Sequence, residues 1–513
     1  MSDFLAGAGV LAAAGASASA ILLPAGRARS AAMLVAIALF PILILGDQWH
    51  THQIVDLRHN TGRIVELLVI GAVAVAVLAY IFRRWSILLP LAIVAALPFR
   101  VPLHAGGDTA NLLVPLYLVI VGGVLAVFLR DWTVTPAGGG GAGVPRGAEA
   151  KPSTVGEAAP TGPAGRAAQW LPRLLAAVVI LYALQTLYSE DFSKGLQNVC
   201  FFLVPFTVAF ALLQDVEWDT RLLKLVLCVV VAEAVAFVLI GSVEYATRSL
   251  FWNDQVIRSN EFHTYFRVNS VFWDPNVYGR YLALVLVVVT TALLWANDRR
   301  DFWLLAGTVL VLWIGLAQTF SQSSFIALLA GLAVLAAIRW SWRWTLAAVL
   351  VGLVGALLIV ILIGGKGFSL DRFNIDTSGR ADLVSGGVEL FGERPLWGYG
   401  SGSFQQAYRD HRANKHVPVS ISHTEPVTVA AEQGLVGLAL YVALIVVALW
   451  AMAAGLRGRR AGRAAVLAAF VALLVHTMAY AGFFEDPITW VLLAVGAALA
   501  STPFVPPPVR DAA

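Results

Sequence analysis

The sequence predicts an all-α fold: a polytopic transmembrane helical bundle of about 14 to 15 spans with one large extracytoplasmic helical loop. Three observations predict it. Of 513 residues, 59% are hydrophobic and 13% charged, a composition that belongs to integral membrane proteins. Apolar windows of about 20 residues, enough for a helix to cross a bilayer, recur along almost the whole chain. Basic residues gather in the short segments between them, as they do in cytoplasmic loops.

The windows lie near 4–23, 31–46, 64–82, 86–98 and 111–129 in the front section. Behind them come 171–188, 197–213, 223–244, 277–297, 302–318, 324–338, 344–364, 427–451, 465–482 and 487–501. The first is rich in Ala, Gly and Ser and could instead be an interfacial segment; with no basic stretch before it, no cleavable signal peptide is expected. If spans alternate, Arg27, Arg29, Arg83, Arg84, Arg299, Arg300, Arg339, Arg343 and the cluster Arg457, Arg459, Arg460 and Arg463 share the cytoplasmic side. Segments 245–276 and 365–426 then lie on the opposite face, and their arginines, which run against the charge bias, require another explanation. Cys200 and Cys228 fall inside apolar windows and read as small hydrophobes. The net charge of +4 is what loop arginines supply; no basic patch interleaved with aromatics suggests nucleic acid.

Four regions follow. A membrane section of about five spans covers 1–130. The tract "TPAGGGGAGVPRGAEAKPSTVGEAAPTGPAG" within 131–170 lacks large apolar residues and reads as a disordered cytoplasmic linker. The main membrane domain runs over 171–501 and includes an extracytoplasmic cap at 365–426; a cytoplasmic tail covers 502–513. No internal repeat is visible, so the inverted-repeat signature of many transporters is not seen. Within the cap, Leu383, Val384, Val388, Leu390 and Phe391 fall near one helical face, Gly392 and Pro395 end that helix, and Phe404 to Arg412 form another.

The stretch "SHTEPVTVAAEQGLVG" at 422–437 concentrates polar residues where this cap meets an apolar run. Thr424 is placed to cap the helix, with Glu425 and Pro426 in its first turn. Glu425, Thr428 and Glu432 share one face at helical spacing. Gly434 and Gly437 leave a notch for a neighbouring helix. Taken alone, His423 is an ordinary interfacial histidine.

From His423 onward the spacing, a histidine, a small polar residue, then Gly-x-x-Gly, resembles the signature of the O-antigen ligase and polymerase superfamily, with Thr424 in place of the usual Asn, Ser or Gln. Upstream, "GRADLVSGGVELFGERPLWGYGSGSF" and "RVNSVFWDPNVYGRYLALVL" resemble that family's arginine-led amphipathic helix and its Asp-Pro-Asn span start. Together the matches cover roughly 190–500 in order. One departure stands out: members commonly carry Ser-Arg in the stretch matching "TFSQSSFIALLAG", whereas Ser321 here precedes Gln322.

The resemblance implies a membrane glycosyltransferase of the bacterial cytoplasmic (inner) membrane, acting on its extracytoplasmic side. Such enzymes join an oligo- or polysaccharide, carried on a polyprenyl diphosphate, to the hydroxyl of a glycan, lipid or protein acceptor. A histidine titrating near neutrality suits deprotonation of that hydroxyl, which assigns His423 as base. Glu432 either orients His423 or the acceptor, or bonds a neighbouring helix. Guanidinium forks bind phosphate oxygens bidentately and stay charged, which assigns Arg267, Arg280 and Arg380 to the donor diphosphate. Their charge can stabilise the leaving group, and neither a metal nor another cofactor is expected. Glu233, well inside a span, has no evident partner. It keeps open a polytopic solute or glycolipid transporter, and Gln322 keeps open a catalytically silent assembly component.

Overall fold

The computed structural model describes residues 3–49, 55, 61–105, 108–133, 163–262, 265–364, 380–411, 421–456 and 461–501. Most of the linker, the tail 502–513 and parts of the cap (365–379 and 412–420) lie outside the described residues.

Every long apolar run coils into helix, because a backbone inside lipid must satisfy its own hydrogen bonds. In chain order the helices are α1 (Asp3–Leu22), α2 (Arg27–Asp47), α3 (Thr61–Arg84), α4 (Leu88–Ala96), α5 (Val114–Thr133), α6 (Pro163–Thr186), α7 (Phe192–Leu213), α8 (Thr220–Thr247) and α9 (Asp254–Phe262). They continue as α10 (Pro275–Leu294), α11 (Arg299–Thr319), α12 (Gln322–Ala336), α13 (Trp342–Gly364), α14 (Arg380–Glu393), α15 (Phe404–His411), α16 (Glu425–Ala453), α17 (Ala461–Thr477) and α18 (Pro487–Ser501). Among the described residues, 11 helical stretches are long and apolar enough to cross a membrane, with α17 and α18 as shorter apolar helices.

The count falls below about 15 for identifiable reasons. No Gly or Pro separates α12 from α13, and a π-helical turn at Ala337–Ser341 joins them into one continuous stretch. Arg339 and Arg343, expected in a connecting loop, lie in that joined helical stretch. The window at 86–98 yields only the nine-residue α4, too short to cross. The chain then forms a hairpin, Val101–Ala105 antiparallel to Asp108–Leu112, which the sequence did not suggest.

Helix α1 is neither interfacial nor loosely held. Its small residues let it approach α2 and α6 closely, and Val10, Ala13 and Ala14 are fully buried. One large core unites α1, α2, α5, α6, α7, α16 and α18. A second, from α8, α10, α11, α12 and α17, lies against it. At one end of the bundle the starts of α10, α14 and α16 meet the loop 478–486 between α17 and α18, and the start of α12 meets His476 at the end of α17.

Candidate functional site

Several site residues are fixed by how a helix begins. Asp274 caps α10, its carboxylate accepting the Asn276 N–H at 2.6 Å, with Pro275 in the first turn. This start orients Arg280, which does not snorkel: it is 4% exposed and forms a 2.7 Å ion pair with Asp486, itself 4% exposed. Asp486 in turn caps α18 by accepting from the Ile488 N–H at 2.9 Å. Arg280 also lies over the Tyr480 ring, 5.9 Å from its centroid, and its Nη1 has no hydrogen-bond partner among the described residues.

Arg267 sits in the loop that returns to α10. Asn260 brackets its backbone by two hydrogen bonds of 3.0 Å. Its Nε donates to the Thr319 carbonyl and its Nη2 to Asn276 Oδ1, both at 3.0 Å. Glu244, fully buried at the end of α8, holds the same loop by accepting the Asn269 and Ser270 N–H groups at 3.2 and 2.7 Å. Burial lowers the Arg267 pKa; Asp274 opposes that and Arg380 adds to it, which places the two guanidiniums within electrostatic reach.

Asn276 Oδ1 also accepts from Ser321 Oγ at 2.9 Å. Ser321, Ser323 and Ser324 share hydroxyl contacts, and Ser323 and Ser324 reach His476 Nε2 at 3.3 and 3.4 Å. The "SQSS" stretch therefore supports the site through its serines. Gln322 between them is exposed, at the first position of α12.

Arg380 is the first residue of α14, as expected, and its Nη1 donates to the Ala479 carbonyl at 3.4 Å. The buried face of α14 differs from the expected one. Gly386, Gly387 and Leu390 are buried while Val388 is exposed, because Tyr408 and Phe404 of α15 press directly onto the two glycines.

His423 adopts a left-handed conformation, φ 61°. Its ring stands edge to face against Tyr480, centroids 6.2 Å apart. Burial lowers its pKa below the ordinary 6.5, Arg380 lowers it further and Asp274 partly restores it. These influences together favour the uncharged imidazole. Thr424 does not cap α16 with its side chain; its Oγ1 donates to the Met478 carbonyl at 3.0 Å.

Glu425, Thr428 and Glu432 share a face, as the spacing predicts, and line a small cavity of about 50 Å³ with Glu485, Asn198 and Lys194. The two buried carboxylates are occupied by backbone. Glu432 accepts from Gly402 and Phe404 N–H at 2.8 and 3.1 Å, and Glu425 from Gly482 and Phe483 N–H at 2.7 and 3.1 Å. Gly434 is no notch for a helix: its φ of 64° breaks α16. The turn Pro395–Gly400 fills the break, with Tyr399 and Gly400 N–H bonding to the carbonyls of Ala431 and Glu432, and Leu435 N–H to that of Pro395. A Cβ on Gly434 would lie 2.4 Å from Leu396 backbone. Gly437 faces the side chain of Gln433 on its own helix.

His423, Arg380, Arg280 and Arg267 thus converge from separate segments, with Asp274, Asp486 and Tyr480 between them. Residues 307–442 match the O-antigen ligase family model. Over that stretch the chain is similar to O-antigen ligases. Its many apolar helices give it the make-up of a multi-pass membrane protein. The matched residues include Gln322, Arg380, His423 and Glu432, whereas Arg267, Arg280, Tyr480 and Asp486 lie outside them. No curated protein matches the chain. Sequence reasoning passed over Tyr480 and Asp486. Asp486 carried a faint signal, an acidic residue before Pro487 at the head of an apolar run, which also describes any helix cap; Tyr480 carried none. Glu233 accepts a 3.1 Å hydrogen bond from Tyr281 and makes none to the four converging residues.

Proposed function

We propose that the protein is a glycosyltransferase that moves an oligo- or polysaccharide from a polyprenyl diphosphate to an acceptor hydroxyl, in cell-surface polysaccharide assembly. The observation that carries this is the meeting of one histidine with three arginines from separate segments. His423 takes the proton of the acceptor hydroxyl. The acceptor oxygen forms a bond to the anomeric carbon from the face opposite the leaving group, which inverts the centre, and the bond from that carbon to the diphosphate oxygen breaks. Arg267, Arg280 and Arg380 receive the departing diphosphate and supply its countercharge without a metal. Glu432 acts by holding the Gly402–Phe404 backbone, a positioning role, rather than by touching the acceptor.

The charge bias of the loops supports a site on the extracytoplasmic side, and the reading puts it in a bacterial cytoplasmic membrane. The acceptor is a glycan, a lipid or a protein bearing the hydroxyl; lipid surrounds the bundle. Reconstitution with polyprenyl diphosphate-linked glycans tests the reading: release of the lipid diphosphate together with a glycosylated product is expected, and release that is unchanged in His423→Ala overturns it. A transporter would instead move the intact donor across the bilayer without releasing the diphosphate.

A further inference from the structure

The loop 478–486 gathers contacts from most of the site. Thr424 donates to the Met478 carbonyl, Arg380 to that of Ala479, Glu425 takes the Gly482 and Phe483 N–H groups, and Asp486 pairs with Arg280. Tyr480 sits in its middle. One side chain touches the candidate base and a candidate donor arginine together: its ring meets His423 edge to face at 6.2 Å and carries the Arg280 guanidinium at 5.9 Å. Its hydroxyl faces Asp274.

We propose that Tyr480 is a positioning residue, a shared platform that sets the imidazole of His423 and the guanidinium of Arg280 relative to each other. A non-glycine residue in the left-handed region persists only where its surroundings hold it. For His423 those surroundings fix the flanking backbone through the Ser422 hydroxyl, which accepts from the Thr424 N–H, and through Thr424 to Met478. The Tyr480 edge adds what these cannot, a direction for the ring. Arg280 has one guanidinium nitrogen on Asp486, and the π face supplies a second restraint on its plane. Aromatic contact is indifferent to sequence separation, so the C-terminal loop couples the base to the Arg280 segment through one ring. Arg380 and Asp274 are the charged groups that face His423 from the neighbouring elements. Removing the Tyr480 ring admits water to the imidazole and leaves Arg380 as the main restraint on its protonation.

The proposal rests on the glycosyl-transfer reading only in naming His423 a base, and its test needs no substrate. Carbethoxylation of His423 by diethyl pyrocarbonate, followed by peptide mass spectrometry across about pH 5 to 8, the range in which histidine titrates, reports ring accessibility and protonation. Tyr480→Leu is expected to raise the rate severalfold and move its midpoint to higher pH, whereas Tyr480→Phe overlays the wild type. An unchanged profile in Tyr480→Leu overturns the proposal, as does an equal shift in Tyr480→Phe, which would place the effect in the hydroxyl. If Tyr480→Leu does not purify as a monodisperse protein, Tyr480→Trp, which keeps a ring but displaces it, must shift the profile for the proposal to stand. Where transfer is measurable, Tyr480→Leu lowers kcat and raises donor KM together, and Tyr480→Phe restores both. A shifted profile with no transfer from any donor would sink the glycosyl-transfer reading alone.

Discussion

The arginines and the buried glutamates at this end of the bundle are treated in opposite ways. Glu244, Glu425 and Glu432 each accept two or more backbone N–H groups from an adjacent loop. Their acceptor capacity is spent on holding chain in place. Arg267, Arg280 and Arg380 bond to carbonyls, an amide and one carboxylate, and they crowd closely enough for Arg380 to lower the Arg267 pKa. Like charges brought together against their repulsion are what the proposed diphosphate site requires. The glutamates hold backbone in place, and the arginines are left to serve the proposed donor.

His423→Ala probes that division most severely. Loss of a general base removes about a hundred- to ten-thousandfold of rate, so diphosphate release should nearly vanish while the melting temperature in detergent stays at the wild-type value.

Glu432→Ala and Arg380→Lys should separate the two kinds of charge. Stranding the Gly402 and Phe404 N–H groups costs about 1 to 3 kcal/mol each when they stay buried, read as a lowered melting temperature. Arg380→Lys, or Arg267→Lys, keeps the charge but loses the fork, and should raise donor KM without changing the melt. A melt left untouched by Glu432→Ala would break the contrast.

A subtler effect concerns pH. Burial and Arg380 hold the His423 pKa down and Asp274 holds it up; the base works only when unprotonated, so activity should fall as pH drops through that depressed value. Arg380→Gln removes a repulsion, raises the pKa and should move the acid limb of the kcat profile to higher pH. Asp274→Asn removes an attraction while leaving an acceptable helix cap, and should move that limb to lower pH.

Smallest of all should be Gln322→Arg. The side chain is exposed, so stability should change by no more than about 0.5 kcal/mol. A charge next to Ser321, whose hydroxyl bonds the Asn276 amide that also holds Arg267, should lower donor KM at low salt and lose that effect at high salt.

Much of this was readable from local chemistry. Arg380 leads a helix as its pattern implied, Glu425, Thr428 and Glu432 share a face, and Asp274 caps its span. What misled was any inference that a residue serves its nearest neighbours in sequence. Thr424 bonds across to Met478 instead of capping, Gly434 bends its helix around a turn from the cap, and Val388 points outward because two glycines are the real contact.

By itself the sequence determined the all-helical membrane class, the positions of most spans, the histidine with its glycines, and the arginines that defy the loop charge bias. These follow from periodicity, length and the expense of charge in lipid, which act within a few turns of chain. Only the tertiary structure decided that Arg280 pairs with Asp486, that Glu432 holds backbone, and that Tyr480 stands between His423 and Arg280. Those facts depend on which helix ends meet, and the packing of distant spans sets that, a property no local pattern encodes.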